Sequence, residues 1–533
     1  LLVQWLGYRS RRVTVSVAAG DTVVVDAALV ADPVALGEVV VTASRNSEPL
    51  LAAPAAVSVA RAAQVRTGWM TGQLPNALAD LPGVDLTRSG VNDFNLNARG
   101  FNSSQNRRLL VLQDGRDLST PFLGAQEWSA NQSPDDGAGI ELVRGPGSAL
   151  YGANAFSGVL SITTPAAREA LGTRVSLNGG GLLTARADIR HAGLLWGGRG
   201  GYKVAAGFSR SDTWSRSRTS RDGLDLQREY AGTTGSPVPV SAVEVRALAG
   251  QSTEAVSGTA QGRRDPLVVV HGSGRLDHYA DDGSVASLEG GATQAENEVF
   301  VTGIGRVQVA KAVRPWLRAA WEKGGFNLAA WYSGRFTVRP QYSLLSGDSL
   351  QEHSWSGQAE AHYSLPLADR VRLAMGASAR RSRVDTRGTL MKAGEDGRGD
   401  VFLAAFGQFE YRVAPGLRVV AAGRLDDGSL LKRQVSPKAA LMFNPNEEHA
   451  LRFSVNRAFQ VPNYAEFFLN VPVGPPATLP RTLERSLEQF FGEVNALYGS
   501  IPSVSALNLP GDLPWSFDSL TSSVALGNAD LAV

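Results

Sequence analysis

From about residue 170 onward, apolar and polar residues alternate in stretches of ten or so. In Arg370–Arg380, Val371, Leu373, Met375, Ala377 and Ala379 fall on one face, with Arg372, Gly376, Ser378 and Arg380 on the other. In Val401–Val413, Val401, Leu403, Ala405, Phe409, Tyr411 and Val413 oppose Gln408, Glu410 and Arg412, and Ser241–Gly250 repeats the pattern. Period two is the signature of a strand with two unlike faces. About 12–14 such segments occur by residue 460, each near the ~9–11 residues that a tilted strand needs to cross a bilayer. The connections are unequal. Pro366–Asp369, Ala414–Gly416 and Asn444–Glu448 are short, whereas Gly250–Asn297 and Asn463–Asn528 read as long polar loops. Short turns at one end and long loops at the other predict a transmembrane barrel. Trp316, Trp321, Trp331, Tyr332, Tyr411 and Phe443 are expected in its aromatic girdles. The competing architecture is a soluble multi-sheet protein such as a propeller, but the chain shows no clean ~40-residue repeat.

The first 165 residues have a different texture. Arg12–Val17 and Thr22–Leu29 alternate around Ala19-Gly20-Asp21, which predicts a hairpin. A lone hairpin is marginal in water, so residues 1–32 read as the end of a small β-sandwich. Residues 33–56 form a Val-rich stretch and a linker, and 57–165 a mixed region. There Leu74–Leu81 predicts a short helix stopped by Pro82-Gly83, and Leu109–Gln113 a buried strand entering the turn Asp114-Gly115-Arg116. The chain starts without Met or a signal peptide and stops without a closing strand, so it reads as a fragment lacking both ends.

Composition narrows the chemistry. The 52 Lys+Arg are balanced by 50 Asp+Glu, and no basic block carries interleaved aromatics, which argues against nucleic acid as a partner. Cysteine is absent, so disulfide scaffolds and thiolate metal sites are excluded. No run of ~18 apolar residues is present to make a spanning helix. The motifs of P-loops, α/β-hydrolases and zincins are missing, so neither an enzyme activity nor a cofactor is expected. Gly145, Gly147 and Gly152 lack the spacing of a dinucleotide fingerprint and read as a backbone turn. Asp277-His278-Tyr279 with Asp281 and Asp282 reads as a solvated acidic loop rather than a cation site, because calcium-loop spacing is lacking.

The stretch Ile140–Thr164, with Arg144-Gly145-Pro146-Gly147-Ser148-Ala149-Leu150-Tyr151-Gly152 at its centre, resembles the plug signature of TonB-dependent outer-membrane receptors. Leu78–Val84, Asn97-Ala98-Arg99-Gly100-Phe101 and Leu112–Arg116 resemble further plug motifs in the family's order. Val435–Leu441, Phe459–Tyr464 and Gly527–Leu531 resemble barrel motifs.

The resemblance implies a mainly β protein: an antiparallel transmembrane barrel, incomplete here, with an α+β plug in its lumen. Such barrels have about 22 strands. The implied division is 1–32 as the end of a carboxypeptidase-regulatory-like sandwich, 33–56 as TonB box and linker, 57–165 as plug, and 166–533 as partial barrel. Within Leu36–Arg45, residues Glu38, Val39, Val40, Val41, Thr42 and Ala43 resemble the TonB box. A β-branched run on a linker suits it, because an extended segment can add to the edge of a partner's sheet. The resemblance also implies that Arg99 and Arg144 latch the plug to barrel-wall carboxylates, with Glu360 or Glu410 as candidate partners. The implied function is energised import across the bacterial outer membrane, with plug and N-terminal region facing the periplasm. TonB, with its inner-membrane energising complex, and outer-membrane lipid are the implied partners. A ferric siderophore is the default ligand; cobalamin, oligosaccharide, or a non-transporting adhesion role are the alternatives. Haem is disfavoured, because Phe459-Gln460-Val461-Pro462 stands where the family's haem motif would, without the histidine that follows it.

Overall fold

The computed structural model describes residues 53–61, 72–213 (less 101, 103–105 and 131–138), 265–344, 349–446 and 449–471, with residue 70 and short stretches between 2 and 49. Near the N-terminus two short pairings are present, β1 (Leu2–Val3) with β2 (Arg11–Arg12) and β3 (Val40–Val41) with β4 (Glu48–Pro49). Most of the hairpin expected over 12–29, and all of the strand at 241–250, lie outside the described residues.

Seven strands build the mixed region: β5 (Ala56–Arg61), β6 (Val84–Arg88), β7 (Phe94–Ala98), β8 (Leu109–Gln113), β9 (Arg116–Asp117), β10 (Gly139–Arg144) and β11 (Gly158–Thr163). Five form one sheet in the order β5-β10-β11-β8-β9, with β8 and β11 parallel, while β6 and β7 form a separate hairpin. Both faces of the sheet are covered. Leu109, Val111, Ile140, Leu142, Leu160 and Ile162 pack with Leu74, Leu78, Phe94 and Trp128 on one side. Leu110, Val143 and Val159 pack with Ala53 and Ala155 on the other. That two-sided burial explains why Leu109-Leu110-Val111 reads as a continuous apolar run. The predicted helix is a 3₁₀ segment over Leu74–Leu78, and α1 (Ser148–Tyr151) is a single turn after the glycine bend.

The rest is a 15-stranded antiparallel sheet. Its strands are β12 (Gly172–Gly180), β13 (Thr184–Leu195), β14 (Gly200–Ser211), β15 (Leu267–Tyr279), β16 (Val285–Glu296), β17 (Glu298–Thr302), β18 (Gly305–Lys323) and β19 (Phe326–Ser343), followed by β20 (Ser349–Leu350), β21 (His353–Ala368), β22 (Val371–Arg383), β23 (Gly399–Ala414), β24 (Leu417–Gly428), β25 (Leu431–Phe443) and β26 (Leu451–Asn456). A short helix, α2 (Tyr464–Phe468), follows. The sheet is inside-out relative to a water-soluble protein. Leu317, Leu328, Met375, Leu403, Phe409, Leu441 and Phe453 are exposed on its outer face. Arg314, Arg335, Ser356, Ser382, Gln408, Arg424 and Asp426 are buried on its inner face against the plug. An apolar outer face and a polar lumen are what hydrocarbon solvent selects.

Three expectations need correction. Gly250–Asn297 is not one long loop, because β15 and β16 pair across 268–296. Its outward positions include Gly272, Gly274 and Gly290, which weakens the apolar half of the pattern. The acidic stretch there is only partly loop: Asp277 sits on β15, accepts from the Ala167 backbone (2.9 Å) and pairs with Arg275, while Asp281 and Asp282 stand on the exposed turn after it beside Arg199 and Lys323. Finally, Trp316 and Trp331 do not join a girdle. They point inward, Trp331 only 8% exposed and Trp316 beneath the Arg116 guanidinium, whereas Trp321, Tyr411 and Phe443 remain exposed.

Candidate functional site: the plug–wall interface

The plug meets the wall through charge and hydrogen bonding, because the lumen-facing positions are polar. The first contact is the turn after β8. Asp114 takes positive φ, as the tight reversal demands, and caps the Thr164 backbone (2.9 Å). Burial, then Glu289 on β16, push its carboxyl up to about 6, against the pull of Arg318 and Arg275. Arg116 stacks on Trp316 (4.6 Å) and donates to Ser333 Oγ (3.1 Å), and Asp117 pairs with Arg380 of β22 (2.7 Å).

The second contact is Glu127, which pairs with Arg314 of β18 and with Arg335 of β19 (2.8 Å). Burial alone would raise its pKa, but the two guanidiniums outweigh it and hold the carboxyl at about 2. The arginines are also held by Glu298 (2.8 Å) and Glu352 (2.9 Å), giving three carboxylates and two arginines in one buried cluster. Nearby, Asp93 accepts from the Val301 backbone (2.9 Å), and burial pushes its carboxyl up to about 6.

Further contacts close the top and the far side. Arg107 pairs with Glu466 of α2, and Phe122 packs with Ile304, Leu390, Met391 and Tyr464. Arg424 of β24 donates to the Leu150 carbonyl (3.5 Å). This is where Gly152 matters, since a Cβ there would run into the Arg424 guanidinium. The glycine bend therefore serves chain reversal and wall contact. The stretch before α2 docks as well: the Phe459 carbonyl accepts from Asn154 N–H (3.3 Å), and Val461 N–H donates to Asn154 Oδ1 (3.2 Å).

The residues singled out from sequence fall as follows. Arg99, at φ 73°, and Arg144 converge around the Pro82-Gly83 turn, where Arg144 donates to the Pro82 carbonyl (2.8 Å). Glu360 and Glu410 do not pair with them. Glu410 is held by Arg418 and Arg372, and Glu360 lies beside Gln358 and His362 on β21. Among the described residues neither arginine has a carboxylate partner. Val40 and Val41 are extended and paired with Glu48 and Pro49; Glu38, Val39, Thr42 and Ala43 lie outside the described residues. Sequence reasoning missed Glu127, Asp117, Arg314, Arg335 and Arg380. The signal for the three arginines was present, since each stands at a lumen position of an alternating strand. Nothing local marked Glu127.

Between plug residues 115–124 and the inner face of β21, β22 and β24 lies a cavity of about 480 Å³. Among the described residues no cluster of three or more His, Asp or Glu could hold a metal ion, and no helix is long and apolar enough to cross a membrane.

Comparison with known proteins places these parts. Residues 49–159 match the TonB-dependent receptor plug domain, and residues 316–509 match the TonB-dependent receptor-like β-barrel. The chain is similar to the vitamin B12 transporter BtuB of Vibrio vulnificus, at 31% identity over 180 residues, or 33% of this chain and 28% of that protein. Among solved structures it is similar to a mutant of the ferric enterobactin receptor PfeA of Pseudomonas aeruginosa in complex with enterobactin (TM-score 0.54, 16% identity, 79% of this chain and 65% of that one). It is also similar to the siderophore receptor PirA of Acinetobacter baumannii (TM-score 0.54, 16% identity, 78% and 63%). The ferric yersiniabactin uptake receptor FyuA of Yersinia pestis matches with TM-score 0.53 and 14% identity, over 80% and 67%. The chain thus spans about two thirds of the solved receptors and under a third of the curated transporter.

Proposed function

From a chain that belongs to the TonB-dependent receptor family, with plug and barrel matched in order, we propose an energised importer of the bacterial outer membrane. Its family is one of receptors and transporters, not of enzymes. The observation that carries the reading is the inside-out wall: its outer face suits hydrocarbon, while its lumen is filled by a separately folded sheet held through ion pairs. A plugged lumen passes nothing at rest, so import requires work on the plug. The outer membrane has no nucleotide pool to supply that work, which makes a mechanical partner necessary. In this reading residues 33–56 are the coupling segment, 57–165 the plug and 166–533 the wall. Glu38–Ala43 offer TonB an extended segment, which Val40–Val41 suit by being already in strand conformation. Arg99 and Arg144, gathered at the Pro82-Gly83 turn, are the proposed latch.

A ferric siderophore is the proposed ligand, on the strength of the fold shared with siderophore receptors. The 31% identity to a vitamin B12 transporter favours cobalamin as the second reading. The test is uptake by whole cells of radiolabelled ferric enterobactin and vitamin B12, with Glu38–Ala43 present or deleted. Accumulation of one ligand that disappears with the deletion is the expected result. Accumulation unchanged by the deletion would sink the coupling role. Accumulation of neither ligand would sink both ligand assignments.

A further inference from the structure

We propose that Arg381 and Arg383, on the outer face of β22, form a docking site for the phosphate of a lipid headgroup in the external leaflet. The inference deepens the outer-membrane reading by naming a partner chemistry and its place on the wall. It rests on the wall spanning that membrane, not on which ligand is imported or how import is energised.

Strand alternation puts both side chains on the lipid side. The outward positions of β22 run Val371, Leu373, Met375, Ala377 and Ala379, and end in Arg381 and Arg383, both exposed. The residues between them face the lumen, where Arg380 pairs with Asp117 of the plug and Ser382 meets Ser356. Height follows from strand geometry. Val371 leaves the two-residue turn 369–370, at the end of the wall where β18–β19 and β23–β24 also turn in two residues. Ten residues at ~3.3 Å, inclined by ~40°, climb about 25 Å, the full height of an apolar band. Arg381 therefore emerges at the top of the band, with Arg383 about 5 Å above it. At that end β22 and β23 are joined by the longer connection 384–398, and longer connections mark the external side.

Register supplies a second marker of the same level. Arg381 stands in one row with Gly357 of β21 and Tyr332 of β19, and Arg383 in the next with Trp355 and Gly334. The rings of Tyr332 and Trp355 lie 5.9 Å apart, and those of Phe336 and His353, farther along the same two strands, 6.1 Å. Lipid-side aromatic rings gather at headgroup depth. The two guanidiniums are therefore level with phosphates rather than with acyl chains.

The charge here is left open. Other exposed cations of the wall are answered within the protein: Arg433 by Asp427 (3.2 Å), Arg339 by Glu296 (3.1 Å), Lys323 by Asp282 (2.8 Å) and Arg199 by Asp281 (2.7 Å). Among the described residues Arg381 and Arg383 make no ion pair and no side-chain hydrogen bond. The acid closest in sequence, Asp385, instead accepts from the Arg387 backbone (3.1 Å). A guanidinium offers a planar fork of donors that matches phosphate oxygens, and two of them two residues apart suit one multiply charged headgroup. The apolar face directly below, Met375, Ala377 and Ala379, selects a phosphate that arrives on acyl chains over the free ion.

The chain has no cysteine, so a single introduced thiol reports alone. The receptor is reconstituted into phosphatidylcholine nanodiscs with a fluorophore on Ala359→Cys, which is outward and level with Ala379, just below Arg381. Quenching is read with brominated phosphatidate and with brominated diacylglycerol of the same chains. Phosphatidate is expected near this thiol at about tenfold its bulk share, two arginines at a charged headgroup each contributing severalfold, and diacylglycerol at its bulk share. Arg381→Gln with Arg383→Gln should bring phosphatidate to within about twofold of bulk, whereas Arg381→Lys with Arg383→Lys keeps the charge and should retain about half of the enrichment or more. A fluorophore on Ala187→Cys, exposed on the outer face of β13, should show no enrichment. No enrichment at position 359, equal enrichment at 187 and 359, or enrichment that survives the glutamine pair overturns the proposal. Enrichment abolished by millimolar inorganic phosphate shows a site for the ion and not for a lipid, and overturns it as well. The readout needs neither uptake nor TonB, so its failure leaves import standing, and failure of uptake leaves the lipid site standing.

Discussion

Glu127→Gln isolates the strongest plug–wall contact by removing one charge and little volume. Two routes give its magnitude. Lowering the carboxyl from 4.5 to about 2, at 1.36 kcal/mol per tenfold change in proton affinity, corresponds to about 3 kcal/mol. Hydrogen bonds to charged groups contribute ~1.5–3 kcal/mol each, and Glu127 makes one to each arginine. The arginines are not orphaned by the change, since Glu298 and Glu352 still hold them, so about 3 kcal/mol is the expected loss rather than the sum. Arg335→Met should cost more, about 3–5 kcal/mol, because it leaves Glu127 and Glu352 buried without that cation. The assay is the urea dependence of thiol labelling at Ala130→Cys in the detergent-solubilised receptor, with Arg433→Gln as control. Arg433 and Asp427 are both well exposed, and such pairs contribute about 0–1 kcal/mol. The sign with pH follows from the depressed carboxyl: the stabilisation is fully present above the ordinary glutamate value of 4.5 and is lost as pH falls toward 2. If Glu127→Gln shifts docking by less than about 0.5 kcal/mol, as a surface change does, the clamp reasoning is wrong.

Other outcomes follow from the same structure. Asp93 has the opposite sign: its carboxyl is raised from 3.8 to about 6, so its contribution declines as pH rises between those values. Asp93→Asn keeps an acceptor for Val301 and should stabilise docking at pH 7.5 by about 1–2 kcal/mol while flattening that pH window; an unchanged slope between pH 4 and 6 in the same urea assay would refute it. On the outer face, Ile189 sits at the middle of β13 and is 48% exposed. Ile189→Arg should cost about 2–4 kcal/mol of folding into liposomes, against about 0–1 for Val413→Arg near the end of β23, and equal costs would argue against a bilayer around this wall.

Much of the architecture was legible because a barrel strand repeats every two residues and needs no distant partner to show it. Val371–Ala379 and Val401–Val413 declare their outward face from sequence alone, and hydrocarbon outside a polar lumen then fixes which half faces lipid. The plug motifs were legible for a similar reason. Gly145, Gly152 and the Asp114-Gly115 turn are local requirements of backbone geometry, met by residue types that stand out. Where the local pattern thins, reading failed: the glycines of β15 and β16 removed the apolar half of the alternation, and two real strands looked like loop. Periodicity also cannot place a side chain across the lumen. Trp316 and Trp331 have the composition of a girdle, yet sit under Arg116 and beside Arg380, because their position in the alternation faces inward. Pairing is the part that sequence leaves undetermined. Glu127 meets Arg314 and Arg335 some two hundred residues away, and Asp117 meets Arg380 farther still, while Glu360 and Glu410 keep to neighbours on their own strands or the next. Which charge answers which is decided by plug orientation and strand register, and neither is encoded in any short stretch of chain.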